Sequence, residues 1–501
     1  MATVHFETLG CKLNQIESES ACKAFFDGGW EISVKPLTSN ATLDEKSVSE
    51  TKICVVNTCT VTTKAEQKCR HTINLLLKKF PNAAIVVTGC YAQVAKSEIE
   101  KISPRIAVIP GVKKALLAQL PSRFDFDFNR DSDATSFSGE EIARFIRGME
   151  SHSDDELDRF LLSTDTFFNH SRSSIKIQDG CGNSCSFCAI HIARGKPVSL
   201  DAETVLERVQ KLETAGQKEV VLTGVNLSQY RSSHVGKNAP VGEKSARSGN
   251  EKFDIADLIE YLSSNTSSIN FRLSSLYPER IDGRFLEALK NSRVRPHFHL
   301  SVQSGSDSIL KAMNRPYTSA QVLKAVRDLR ALYESGLCQG GQNSYGSQIE
   351  PFIACDIIVG FPGETDEDFE QTVRLCKECN FAWIHAFPFS ARPGTVAAKM
   401  KNQIPQETAR KRMNILAEIA DNQKRDYIRR FEGKTVKAIM EKRQDGLCRC
   451  VTENFLHAHV QFPDKSEKIE VSYLWDKEID VKITSVESSV RECECECIVL
   501  E

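Results

Sequence analysis

Between residues 173 and about 400 six short apolar runs recur: "SSIKIQ", "KEVVLT", "NFRLSS", "HFHLSV", "FIACDIIVG" and "WIHAFPF". Helix-like segments such as "DAETVLERVQKLETAG", "SAQVLKAVRDLRALYES" and "DEDFEQTVRLCKECN" lie between them. Strands that alternate with amphipathic helices run parallel, because each helix returns the chain to the same end of the sheet. Six such units predict an α/β fold, a six-unit partial (β/α) barrel over 172–404, with its site at the carboxyl ends of the strands.

The rest of the chain reads in the same terms. At 501 residues, 41% of them hydrophobic, about three domains are expected. Residues 1–123 alternate "TVHFETLG", "KICVVNTC" and "AAIVVTGC" with helical stretches, which predicts a small parallel α/β domain. Residues 124–171 are acidic and Ser-rich and read as a connection, with "EEIARFIRGM" a short helix inside it. A helix over 405–432 opens at Pro405 and ends at Gly433. Residues 433–501 carry closely spaced short strands, as in a small β-barrel. The polar insertions "RSSHVGKNAPVGEKSARSGN" and "CQGGQNSYGSQIEP" read as surface loops.

A net charge of -2 gives no overall attraction to nucleic acid, so such a partner has to be met by a local basic surface. No run approaches 18 apolar residues and the first 25 residues lack a signal-peptide pattern, which predicts a cytoplasmic protein with no membrane partner. In that compartment the 18 cysteines point to metal, redox chemistry or burial rather than disulfides.

Two groups of cysteines stand out by position. Cys181, Cys185 and Cys188 form CxxxCxxC directly after the first barrel strand, bracketed by Gly180 and Gly182. Three thiolates leave a cluster or metal one ligand short, and an open position is what a catalytic centre keeps. A zinc site completed by a distant Cys or by His191 is the blander alternative. Cys11, Cys59 and Cys90 lie far apart, but each follows a predicted parallel strand, so folding gathers them at one sheet edge. Cys22, Cys54 and Cys69 fall within helices or a strand and are assigned to packing.

The CxxxCxxC loop with six βα units resembles the radical S-adenosylmethionine enzymes. The two cysteine triplets together, with "TLGCKLNQIESE", "VNTCTVT", "VTGCYAQ", "LTGVNL", "HLSVQSGSD", "MNRPYT", "DIIVGFPGETDEDF" and "FPFSARPGT", resemble the methylthiotransferases of that superfamily over nearly the whole chain. The opening "TLGCKLN" with "ESE" is similar to the branch that acts on N6-threonylcarbamoyladenosine at tRNA position 37. The resemblance implies two [4Fe-4S] clusters, one on Cys181, Cys185 and Cys188 and an auxiliary one on Cys11, Cys59 and Cys90. It implies S-adenosylmethionine both as methyl donor and, on the first cluster, as source of a 5'-deoxyadenosyl radical. Its partners are then the tRNA anticodon stem-loop, an electron donor and a sulfur source, with a monomer favoured. Isopentenyladenosine in tRNA, a ribosomal-protein aspartate, and a non-catalytic iron-sulfur redox sensor are the alternatives.

For S-adenosylmethionine the strand ends supply Thr223 and Gly224, Gln303 and Ser304, and Gly360 with Pro362. Tyr277 in "RLSSLYPERI" departs from the family pattern, where Glu is expected. The C-terminal strands resemble a TRAM-like RNA-binding barrel, although their composition is acidic. Arg410, Lys411, Arg412, Lys424, Arg425, Arg429 and Arg430 make the preceding helix the more basic surface. In the tail, Cys493, Cys495 and Cys497 would share one strand face and are read as buried, opposite Glu492, Glu494 and Glu496.

Overall fold

The computed structural model describes residues 2–123, 138–152, 158–163, 173–232, 253–290, 292–336, 349–441, 448–461, 477–486 and 494–500. Most of both polar insertions, the run "KIEVSYL" and Cys493 lie outside them.

The first domain is a five-stranded parallel sheet of β1 (Thr3–Thr8), β2 (Glu31–Ser33), β3 (Thr51–Thr58), β4 (Ala84–Gly89) and β5 (Ile106–Val108), in the order β2-β1-β3-β4-β5. Both faces of β3 are covered, which is why its sequence reads as an unbroken apolar run. Ile53 and Val55 pack with Phe25 of the helix Lys12–Asp27, while Cys54 and Val56 pack with Cys69 and Ile73 of the helix Thr63–Lys79. Cys22, Cys54 and Cys69 are buried in these cores, and burial pushes their thiols up. The helix Gly139–His152, inside the acidic stretch, lies against β4 and β5 and adds Ile142, Ala143 and Ile146 to the core around Phe25.

The second domain holds all six expected strands. They are β6 (Ser173–Lys176), then a small antiparallel ribbon of β7 (Gln178–Asp179) and β8 (Val198–Ser199), then β9 (Glu219–Thr223), β10 (Asn270–Leu273), β11 (His297–Gln303), β12 (Phe352–Val359) and β13 (Trp383–Pro388). The parallel sets β6-β9-β10 and β11-β12-β13 are joined by parallel bridges at Phe271 and Val294 and at Leu276 and Leu300. Along β11, Phe298, Leu300 and Val302 pack under the helices, while His297 and His299 turn to the concave side.

β14 (Thr435–Glu441), β15 (Arg449–Thr452), β16 (His457–Gln461), β17 (Glu478–Val486) and β18 (Cys495–Val499) close into a barrel in the order β14-β15-β16-β18-β17. Cys450, Cys495 and Cys497 fill its core, with the sulfurs of Cys450 and Cys497 3.7 Å apart. Glu494, expected on the outer face, is buried against Lys424 at 2.6 Å. Lys424 lies on the helix Gln406–Arg429, where it and Arg412 are buried while Arg410, Lys411 and Arg429 stay exposed. Arg412 pairs with Glu364 and Asp366, and Arg430, just past the helix, pairs with Glu350. Lys411 and Arg429 pair with Glu407 and Asp426 of the same helix. This helix is a strut between the two barrels, packing on β12 and β13 of one and β17 of the other, and the burial of Arg412 and Lys424 in it requires the carboxylates beside them.

Candidate active site

β1, β3 and β4 are adjacent, so their carboxyl ends deliver Cys11, Cys59 and Cys90 to one edge, and all three line one cavity. The turns meet closely. Gly89 has φ +98°, and a Cβ there would stand 2.3 Å from the Thr58 carbonyl oxygen, so only glycine lets the Cys59 and Cys90 turns pack together. Asn14 ties the other pair of strand ends, donating from Nδ2 to the carbonyls of Leu9 at 2.8 Å and Thr58 at 3.0 Å. Burial pushes the Cys59 thiol up to about 11, while Cys11 is exposed.

The other triplet sits on the loop that follows β7, just beyond β6. Gly180, at φ +70°, lets this loop pass Lys196, whose carbonyl oxygen would lie 2.1 Å from a Cβ. The Cys181 N–H donates to the Gly195 carbonyl at 3.0 Å, and the N–H groups of Asn183 and Ile190 approach the sulfurs of Cys181 and Cys188 at 3.5 and 3.4 Å. Burial raises the Cys181 thiol and pushes that of Cys188 up to about 11, so metal binding releases protons here.

Arg315 supplies the local positive charge, with Nη1 3.2 Å from the Cys185 sulfur and its guanidinium carbon 4.1 and 4.9 Å from the ring centres of Tyr277 and Tyr317. Nη1 also reaches the Tyr277 hydroxyl at 3.1 Å. Burial pushes that phenol up to about 12, so a neutral group stands where the family pattern predicts a carboxylate, and the carboxylate in the field of Arg315 is that of Glu279.

Among the described residues no three His, Cys, Asp or Glu side chains are placed to hold a single metal ion. A four-iron cluster makes a different demand, since each thiolate takes its own iron and the sulfurs need not converge on one point. Two sulfur-only sets of three therefore fit cubane clusters, each with one iron open to a non-protein ligand. The donor chemistry does not fit a closed zinc site.

The cavity beside Cys11, Cys59 and Cys90 has a volume of about 730 Å³. Thr223 and Gly224, at the end of β9, form part of its wall, as does Ile190, two residues past Cys188. Gln303, at φ +68° on the end of β11, does not line it, and neither do Ser304 and Gly360. Ser304 is turned to Thr372, 3.3 Å away, and a Cβ on Gly360 would meet the Ala409 Cβ at 2.9 Å, so that glycine serves packing against the strut helix.

Sequence reasoning missed the far end of the cavity, where His297, His299, Trp383 and His385 of the barrel meet Phe455 and His457 of the small barrel. Trp383 Nε1 donates to His385 Nδ1 at 3.2 Å, His299 stacks on His385 at 5.1 Å, and burial pushes His385 down to about 4, leaving it neutral. The alternation in "HFHL" and "WIHA" carried this signal: the residues one position away fill the core.

Residues 175–376 match the model of the radical SAM superfamily, and residues 3–111 match that of the uncharacterized protein family UPF0004. The chain is 39% identical to the threonylcarbamoyladenosine tRNA methylthiotransferase MtaB of Treponema pallidum, over 91% of this chain and 94% of that protein. With the protein of the same name from Thermotoga maritima it shares 32% identity, over 88% of this chain and 87% of that one. Among solved structures, the radical S-adenosylmethionine methyltransferase TsrM from Kitasatospora setae aligns with a TM-score of 0.48 at 14% identity, covering 79% of this chain and 74% of that one. The chain therefore belongs to the threonylcarbamoyladenosine tRNA methylthiotransferase family of the radical S-adenosylmethionine superfamily.

Proposed function

We propose that this protein replaces the C2 hydrogen of N6-threonylcarbamoyladenosine at tRNA position 37 with a methylthio group. The observation that carries this reading is the pair of three-cysteine sets on neighbouring parallel sheets, one lining a 730 Å³ cavity and the other on the loop that leads to Ile190 in its wall. The clusters and S-adenosylmethionine supply the electron, the sulfur and the hydrogen-abstracting radical that an unactivated aromatic C–H bond requires.

The chain's own groups bind, orient and exclude. Cys181, Cys185 and Cys188 hold one cluster with Arg315 against Cys185, and Cys11, Cys59 and Cys90 hold the other. Thr223 and Gly224 bound the space between them, where the Thr223 hydroxyl and the Gly224 backbone serve S-adenosylmethionine. Gln303, Ser304 and Gly360, the other strand-end residues read as contacts for S-adenosylmethionine, lie outside the lining of this cavity. An anticodon-loop adenine is unpaired and can be splayed into a cavity of this size without melting a duplex. The C-terminal β-barrel grips the stem-loop. The reaction draws on an electron donor and a sulfur source, and runs on a monomer in the cytoplasm; among the described residues no helix is long and apolar enough to cross a membrane.

Mass spectrometry of tRNA nucleosides from cells lacking the protein tests this. The 2-methylthio form of threonylcarbamoyladenosine disappears and its unmethylthiolated precursor accumulates. Loss of the methylthio form of isopentenyladenosine instead would transfer the activity to the other tRNA branch.

A further inference from the structure

Five ionisable side chains meet where the first sheet docks on the partial barrel. Glu17 and Lys114 come from the first domain, Lys176, Asp179 and Arg194 from the second, and all five are buried. Glu17 accepts from Lys176 at 2.9 Å, contacts Arg194 at 3.3 Å and pairs with Lys114; Asp179 accepts from Arg194 at 2.9 Å and Lys176 at 3.2 Å. Three cations thus face two carboxylates in this knot. As mere adhesive it would gain little, since desolvating charges costs about what their attraction returns.

What the knot touches is more telling. Arg194 Nη2 donates to Asn14 Oδ1 at 2.9 Å, and Asn14 holds the carbonyls of Leu9 and Thr58, at the strand ends that lead into Cys11 and Cys59. On the other side Asp179 Oδ1 accepts the N–H of Gly180 at 2.8 Å, one residue before Cys181. Arg194 itself ends the helix Ile190–Arg194 that begins two residues past Cys188. One guanidinium is therefore hydrogen-bonded toward both cysteine sets. It also lines the cavity beside Cys11 and Cys90, and Cys59 lies in its field, whereas Cys181 and Cys188 lie in that of Arg315.

We propose that this knot is the positioning element that sets the two cysteine triplets relative to one another, and that its surplus cation, Arg194, balances the negative charge of the centre held by Cys11, Cys59 and Cys90. A four-iron cluster in its 2+ state with three thiolates carries one net negative charge, which matches the knot's single excess cation. The inference rests on the reading of both triplets as cluster ligands.

EPR-monitored redox titration of reconstituted protein tests it, one centre at a time. A background with Cys181, Cys185 and Cys188 changed to Ala retains the auxiliary centre, and one with Cys11, Cys59 and Cys90 changed to Ala retains the other. Iron counts of roughly four in each background secure the underlying reading, and a background that binds no iron removes it. In the first background Arg194→Met moves the midpoint to more negative potential, Glu17→Gln moves it to more positive, and Arg194→Lys leaves it near wild type. In the second background none of the three shifts it. Opposite signs from two variants cannot arise from general loosening, and if Arg194→Met does not fold, Glu17→Gln carries the test alone. No shift at the auxiliary centre, or equal shifts at both, overturns the electrostatic claim. Asn14→Ala in the full protein keeps every charge and removes the brace. It is expected to leave both potentials in place while more 5'-deoxyadenosine is made per methylthiolated base, and an unchanged ratio overturns the positioning claim.

Discussion

Gly89→Ala is the sharpest single perturbation of the auxiliary site. Gly89 closes β4 one residue before Cys90, and its backbone packs on the turn that carries Cys59. An added Cβ would stand 2.3 Å from the Thr58 oxygen, 2.6 Å from the Thr58 nitrogen and 2.7 Å from Asn57 Oδ1. Ordinary contact begins near 3.4 Å, so the turns must part by about 1 Å. The φ of +98° adds about 1–2 kcal/mol of strain for any residue with a Cβ. Weakening one or two hydrogen bonds between β3 and β4 adds about 1 kcal/mol each. A loss of about 3 kcal/mol lowers the melting temperature of a domain this size by roughly 10 °C. A shift of about 1 Å also exceeds the roughly 0.2 Å tolerance of metal-ligand distances. Iron counting after anaerobic reconstitution is the assay: wild type holds roughly eight irons per chain and Gly89→Ala roughly four, with cleavage of S-adenosylmethionine retained. Gly216→Ala is the control, since it has φ +88° but no atom within 4 Å of its Cβ and therefore shows strain alone. Gly89→Ala with eight irons and a wild-type melting curve would refute the close-packed geometry.

Arg315→Met removes the guanidinium 3.2 Å from the Cys185 sulfur, so the centre on Cys181, Cys185 and Cys188 shifts to more negative potential and cleavage of S-adenosylmethionine slows; an unchanged midpoint would contradict this. Asp179, flanked by Arg194 and Lys176 in the knot, has its carboxyl held down at about 2 against an unfolded value near 3.9. A depressed carboxyl stabilises above its unfolded pKa, so iron-free protein loses about 2 kcal/mol from this group as pH falls from about 5 to 2. Urea midpoints across that range decline less steeply in Asp179→Asn, and equal slopes would refute the assignment. Cys450→Ser with Cys497→Ser leaves the iron count unchanged but destabilises the small barrel by about 1–3 kcal/mol, since each buries a hydroxyl in an apolar core. A lower iron count would make those cysteines ligands.

The elements that position the site were the legible ones. Each of the six barrel strands is a run of four or more residues, and Cys11, Cys59 and Cys90 could be placed at one edge because parallel strands end at the same side. β2 and β5 escape a pattern reading because three residues are too few to show a period. The helix Gly139–His152 was readable as a helix but not as part of the first domain, since Ile142 and Ile146 name a buried face without naming what buries it. Arg194, Glu17 and Asp179 are charged residues up to 177 positions apart, and nothing local marks an ion that will be buried with a distant partner. The same blindness made Arg412 and Lys424 look like solvent-facing cations when their carboxylates lie in other domains. Tyr277 was visible only as a departure; its role beside Arg315 needed the fold to bring them together.

The central claim is that two incomplete cysteine sites act in different halves of one reaction. Reconstituted wild type, Cys11→Ala and Cys181→Ala should each be given an anticodon stem-loop bearing N6-threonylcarbamoyladenosine, S-adenosylmethionine and a reductant, with 5'-deoxyadenosine and methylthiolated base measured together. The account predicts both products from wild type, 5'-deoxyadenosine without methylthiolated base from Cys11→Ala, and neither from Cys181→Ala. Methylthiolated base from Cys11→Ala would contradict it.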